Sequence, residues 1–288
     1  MKKRFLSIAM AASFAMLFNA QQIKFEEYDL PNGLHVILHQ DNSAPVVTTS
    51  VMYHVGAKDE AAGRTGFAHF FEHLLFEGTK NIKRGEWFKI VSANGGSNNE
   101  QLGLWMEAER LRHPVINQIG VDTQREVVKE EKRLRIDNQP YGGLFNAILT
   151  TLFKKHPYKG TVIGSMEDLN SAKLEEFNAF FKKYYIPNNA TLVVAGDIKP
   201  EQTKKWINEY FGSIPKGTPI TRNFPKETPI TQEFEETVYD ANIQLPAYIF
   251  AYRTPAEKER DAYILSMLGS YLSKGKSSVL YKKLVDNE

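Results

Sequence analysis

Two histidines four residues apart, His69 and His73, enclose Glu72 in the pentapeptide His69-Phe70-Phe71-Glu72-His73. On a helix, positions four apart lie one turn above each other, so the two imidazoles share a face and can bind one metal ion. Glu72 falls on a neighbouring part of that face, near enough to take a proton from a water at the metal without being a ligand. The chain has no cysteine, so metal ligands must come from His, Asp or Glu. The same absence excludes disulfides, a thiolate nucleophile and lipid attachment at an N-terminal cysteine. Zn2+ is the ion this pair suits, and metal-assisted hydrolysis is the chemistry. With 7 His in 288 residues, such a pentamer arises by chance in on the order of one chain in a hundred of this length. The remaining histidines lack ligand spacing: His35, His39 and His54 lie in strand patterns, and His113 and His156 each precede a proline.

The elements that must hold these groups are legible as periodicity and punctuation. Ile23 to Leu30 and Leu34 to Gln40 read as strands joined by a turn at Pro31-Asn32-Gly33, and Val46 to Val55 reads as a third strand. Phe67 to Phe76 reads as the helix of the His pair, with Thr65 as N-cap and Gly78 as stop. Further helices are expected at Arg84 to Ala93, Gln101 to His113, Asp122 to Asp137, Gly143 to Phe153, Leu174 to Tyr185 and Pro200 to Phe211, with a strand at Ala190 to Gly196. Thr123 and Glu126 have the spacing of a capping box, which sets the expected start of the Glu-rich helix. Pro215, Pro219, Pro225 and Pro229 make residues 215–230 a linker. Beyond it, strand-like runs at Gln232 to Tyr239 and Ala247 to Tyr252 and a helix-like run at Arg260 to Ser273 repeat the opening order. In that second copy Ser266, Gly269 and Ser270 stand where the first has His69, Glu72 and His73.

Lys2, Lys3 and Arg4, the uncharged run Phe5 to Phe18 and then Ala20 read as a signal peptide over residues 1–20. The run is too short to span a bilayer as a helix, and no second candidate span follows. The expectation is an exported protein, periplasmic or secreted. Without residues 1–20 the chain has 33 basic and 34 acidic residues. No basic field points to nucleic acid or an anionic membrane.

The segment Gly66 to Thr79, with its His-x-x-Glu-His order, resembles the active-site segment of the pitrilysin/insulinase family of inverted zincins along its whole length. Asn94 to Asn99, Trp105 to Arg110, Gln124 to Arg133, His156-Pro157-Tyr158, Ile163-Gly164 and Ala195-Gly196-Asp197 resemble bacterial processing-peptidase-like members in the same order. The resemblance spans about residues 23 to 285. It implies a third metal ligand from a Glu at the end of the run Arg125 to Glu131: Glu131, with Glu130 as the alternative, since neighbours on a helix point about 100° apart. Glu126 is open to either a supporting or a surface role. The resemblance further implies an α+β metallopeptidase domain, a largely antiparallel sheet packed by helices, over residues 21–214, and an incomplete homologous second domain over residues 231–288. Peptide-bond hydrolysis by zinc, unfolded or short peptide substrates and a possible homologous partner subunit closing the chamber are implied with it.

Two departures stand against the family pattern. Only 57 residues separate His73 from Glu131, about 19 fewer than the family's usual interval. The shortfall falls between Asn99 and Glu100, where the family carries a further strand of the central sheet beside the site. The second domain also stops at Glu288: where the family's second half supplies an Arg near the substrate carbonyl this chain has Val285, and it ends before the place of the family's Tyr. A non-catalytic or partner-dependent subunit is therefore the rival expectation.

Overall fold

A computed structural model describes residues 23–96 and 99–286; the expected signal peptide lies outside them. Two compact units divide the chain: one runs to Lys132 and resumes over Thr161–Asn223, and the other comprises Arg133–Gly160 and Phe224–Glu288. The chain thus leaves the first unit inside the proline-rich stretch, and residues 133–160 group with the C-terminal unit.

The first unit holds a sheet of β1 (Glu26–Asp29), β2 (His35–Gln40), β3 (Val47–Tyr53) and β4 (Ala190–Gly196), in the order β1-β2-β4-β3. β2 and β4 are parallel, and the other two pairings are antiparallel. The helices of this unit are α1 (Phe67–Leu74), α2 (Trp87–Ala93), α3 (Glu100–Arg112) and α4 (Gln118–Lys132). In the second unit lies α5 (Leu144–Leu152), and α6 (Met166–Ser171), α7 (Leu174–Tyr184) and α8 (Pro200–Phe211) return to the first. The α+β class and the largely antiparallel sheet agree with the sequence.

The alternation of β2 places Val36 and Leu38 in the core, and β4 adds Leu192 and Val194, all buried. The turn between β1 and β2 forms where expected, with Gly33 at φ 86°. Its Asn32 also closes the far end of α8, donating to the carbonyls of Phe211 at 2.8 Å and Ile214 at 2.9 Å.

In α1 the apolar residues Phe67, Phe70, Phe71 and Leu74 recur at helical spacing and are buried. They meet the aromatic ridge of α7: Phe71 has ring contacts with Phe177, Phe180, Phe181 and Tyr185. Burying that face turns His69, Glu72 and His73 the other way. Phe71→Ala is expected to destabilise the unit by about 3–5 kcal/mol, the scale of a large core cavity, measurable as a shift in denaturant midpoint.

Two expected N-caps move. The N-cap of α1 is Gly66 at φ 89°, not Thr65. The Thr65 hydroxyl instead donates to Asp168 and accepts from the Ser165 amide at 3.0 Å. α4 begins at Gln118, where Asn117 accepts from the Gly120 amide at 2.8 Å. Thr123 lies inside that helix and its hydroxyl donates to the Ile119 carbonyl, because the apolar face of Val121 and Val128 extends the pattern past the apparent capping box.

The second unit contains a π-helical turn at Arg133–Asp137, α5, α9 (Arg260–Ser273) and α10 (Val279–Leu284). The strand-like runs at 232–239 and 247–252 are irregular. Phe234, Val238, Tyr248 and Phe250 there are exposed, so no buried face rewards strand pairing. Among the described residues no helix is long and apolar enough to cross a membrane.

Candidate metal centre

Glu131 reaches the His pair from the last turn of α4. Its Oε2 lies 3.5 Å from His69 Nε2 and 3.3 Å from His73 Nε2. The two imidazole rings stand 5.1 Å apart at 79°. Ligand atoms about 2.0–2.1 Å from a tetrahedral zinc lie about 3.4 Å from one another, so these spacings fit one ion. Among the described residues this is the group of His, Asp and Glu whose ligand atoms converge within 4.8 Å. All three side chains are partly buried, which limits competition from bulk water. Glu130, the alternative ligand, is not a member of the group. Glu72 is exposed on α1 and also outside it. Glu126 pairs with Lys129 at 2.9 Å on an exposed face.

The placement of Glu131 follows from how α4 is anchored. Val128, one turn before it, is fully buried. Arg125 locks the helix to the end of α6, donating through Nε to the Leu169 carbonyl at 3.0 Å and through a terminal nitrogen to the Ala172 carbonyl at 2.9 Å. A cavity of about 290 Å3 lined by Glu77, Thr79, Arg84, Val115 and Asn117 lies elsewhere on the unit and includes none of the metal group. Convergent ligand chemistry, not concavity, marks the site.

Burial dominates the electrostatics beside α1. It pushes the Glu60 carboxyl up to about 7, against the lowering effect of hydrogen bonds from the Ala68 and Gly66 amides, while the Asp168 charge adds to the rise. Burial, then Tyr53, Glu72 and Glu60, also hold the Tyr185 hydroxyl in its protonated form well above the usual tyrosine range. Because Glu60 is raised from 4.5 to about 7, the folded protein holds an extra proton between those values. Its contribution is fully present below about pH 4.5 and is lost as pH rises through about 7. Stability is expected to fall across that window by on the order of 3 kcal/mol, and Glu60→Gln to flatten the slope. Urea midpoints at pH 5 and pH 8 measure both.

The chain resembles known proteins over most of its length. The chain matches the family described as Insulinase (Peptidase family M16) over residues 35–103 and that described as Peptidase M16 inactive domain over residues 171–288. A protease from Helicobacter pylori of known crystal structure is 30% identical, with a TM-score of 0.78 over 92% of this chain and 69% of that one. The chain belongs to the M16 peptidase family. The Helicobacter pylori protein named Zinc protease PqqE is 31% identical over 92% of this M16 chain and 64% of its own length. The chain therefore spans about two thirds of that relative. The M16 inactive domain from Pseudomonas fluorescens shares the fold at a TM-score of 0.73 and 14% identity. Glu131 lies between the two matched segments.

Sequence reasoning missed Glu60, Asp168 and Arg125 as supports of the site. Asp168 and Arg125 act between segments far apart in sequence, Glu60 acts across an irregular loop six to eight residues ahead of its partners, and no periodicity marks any of them.

Proposed function

We propose that this M16 chain is a zinc-dependent endopeptidase of unfolded or short peptides, with His69, His73 and Glu131 as metal ligands and Glu72 as general base. The convergence of ligand atoms of His69, His73 and Glu131 within 4.8 Å of one another, with Glu131 Oε2 3.5 Å and 3.3 Å from the two Nε2 atoms, carries the reading. The relative named Zinc protease PqqE supports it. A zinc ion in this group supplies Lewis acidity to a water and to the scissile carbonyl. The Glu72 carboxylate accepts the proton of the attacking water and returns it to the leaving amine. The N-terminal run from Lys2 to Ala20 supports export to the periplasm or the medium.

One observation favours a second reading, a non-catalytic or partner-dependent subunit. Among the described residues β3 pairs only with β4, and the chain passes from Asn99 directly into α3, whose first turn Asn99 caps at 3.1 Å. A homologous partner subunit would then complete the peptide-binding wall. The readings separate on an unfolded peptide substrate. Cleavage that stops on chelation and returns with added zinc supports the enzyme; cleavage indifferent to chelation contradicts it.

A further inference from the structure

The helix that carries His69, Glu72 and His73 has no capping side chain of its own. Its N-cap is Gly66, which has no side-chain oxygen for the free amides of the first turn. A carboxylate from another segment takes them. Glu60 accepts from the Gly66 amide through Oε2 and from the Ala68 amide through Oε1, each at 2.9 Å. Ala68 directly precedes His69. Above about pH 7, where Glu60 is ionised, its carboxylate also meets the positive pole of the helix dipole. Two oxygens bonded to two amides fix both the height and the rotation of the first turn, and His69 with it.

Glu60 is itself held from behind. The carboxylate of its neighbour Asp59 is 2% exposed and accepts from Arg222 Nε at 2.6 Å. It also accepts from the Gly56 amide at 3.1 Å, while the Asp59 carbonyl accepts from the Tyr184 hydroxyl at 2.9 Å. Arg222 donates in addition to the His54 carbonyl. The segment that brings Arg222 here is pinned at Gly217, whose amide donates to Asn188 Oδ1 at 2.8 Å and whose carbonyl accepts from Asn188 Nδ2 at 3.1 Å. A Cβ at Gly217 would come within 2.6 Å of the Ile186 side chain, so the segment lies flush against the unit.

We infer that Glu60 is a positioning residue for the metal-ligand helix, held in register by the Arg222–Asp59 ion pair and, through it, by the strap of residues 217–222. The inference rests on the reading of His69, His73 and Glu131 as a metal site. Glu60 acts through the backbone of α1, so its loss moves a ligand while leaving the ligand set intact.

The test is zinc affinity by competition with a chromophoric chelator, on the full chain and on Glu60→Ala, Glu60→Gln and Arg222→Ala, with circular dichroism confirming the fold of each. Glu60→Ala is expected to weaken zinc about 10–100-fold, the scale of losing a group that orients a ligand. Glu60→Gln, which keeps one acceptor oxygen, should fall between it and the parent. Arg222→Ala should weaken zinc by a smaller factor. A parent that binds zinc with variants of equal affinity overturns the inference and leaves the metal reading intact. If Glu60→Ala does not fold, unchanged affinity in both Glu60→Gln and Arg222→Ala overturns it. Weakening in the Glu60 variants but not in Arg222→Ala overturns the strap. A parent that binds no zinc overturns the metal reading, and this inference falls with it.

Discussion

Glu72→Gln is expected to retain zinc and to lower peptide turnover by roughly 10²-fold or more, the scale of a lost general base. The reason is positional. Glu72 shares α1 with both histidines but stands outside the converging group, so under the proposed roles replacing its carboxylate removes a proton acceptor and no ligand. The amide keeps the size and much of the polarity of the side chain, so the buried aromatic face of α1 should be undisturbed. Metal content and turnover measured on one preparation separate the roles. Loss of zinc in Glu72→Gln would make Glu72 part of the metal site, and unchanged turnover would remove it from the chemistry.

The second large effect concerns the interval between Asn99 and Glu100. A peptide hydrolysed at the metal must present its carbonyl there, and extended peptides are commonly held by adding to a sheet edge. Here β3 pairs with β4 alone among the described residues. Displacement of a reacting group by about 1 Å can cost on the order of 10²-fold, and loss of a guiding edge should cost more. Insertion of a family-like segment of about 19 residues at Asn99, with a homologous partner half supplied, is therefore expected to raise cleavage by more than about 10²-fold over the chain as it stands. Zinc affinity should stay constant, because His69, His73 and Glu131 lie outside the inserted stretch. Equal rates in the two forms, both abolished by Glu72→Gln, would show that β3 and its neighbours already hold the substrate.

Much of this architecture was legible because it is local. The spacing of Phe67, Phe70, Phe71 and Leu74 sets the buried face of α1 and so turns the His pair outward. The turn at Asn32-Gly33 and the alternation of Val36 and Leu38 announce the first hairpin. What was not legible is non-local. Thr65 has the chemistry of an N-cap, yet Asp168 and Ser165 draw its hydroxyl away and leave the cap to Gly66. The capping-box spacing of Thr123 and Glu126 is overridden by the packing of Val121 and Val128. The runs at 232–239 and 247–252 have strand composition but expose their aromatic and β-branched residues, and composition alone does not create a pairing partner. For the third ligand, helix geometry said only that Glu130 and Glu131 point apart. The anchoring of α4 by Val128 and Arg125 is what brings Glu131 to the histidines.

The most direct test of the account is the zinc content of the purified chain, by elemental analysis, alongside His69→Ala/His73→Ala, Glu131→Gln and Glu130→Gln. The account predicts about one zinc per chain in the parent and in Glu130→Gln, little in Glu131→Gln and none in the double histidine variant. A stoichiometry near one that survives in the double histidine variant would contradict it.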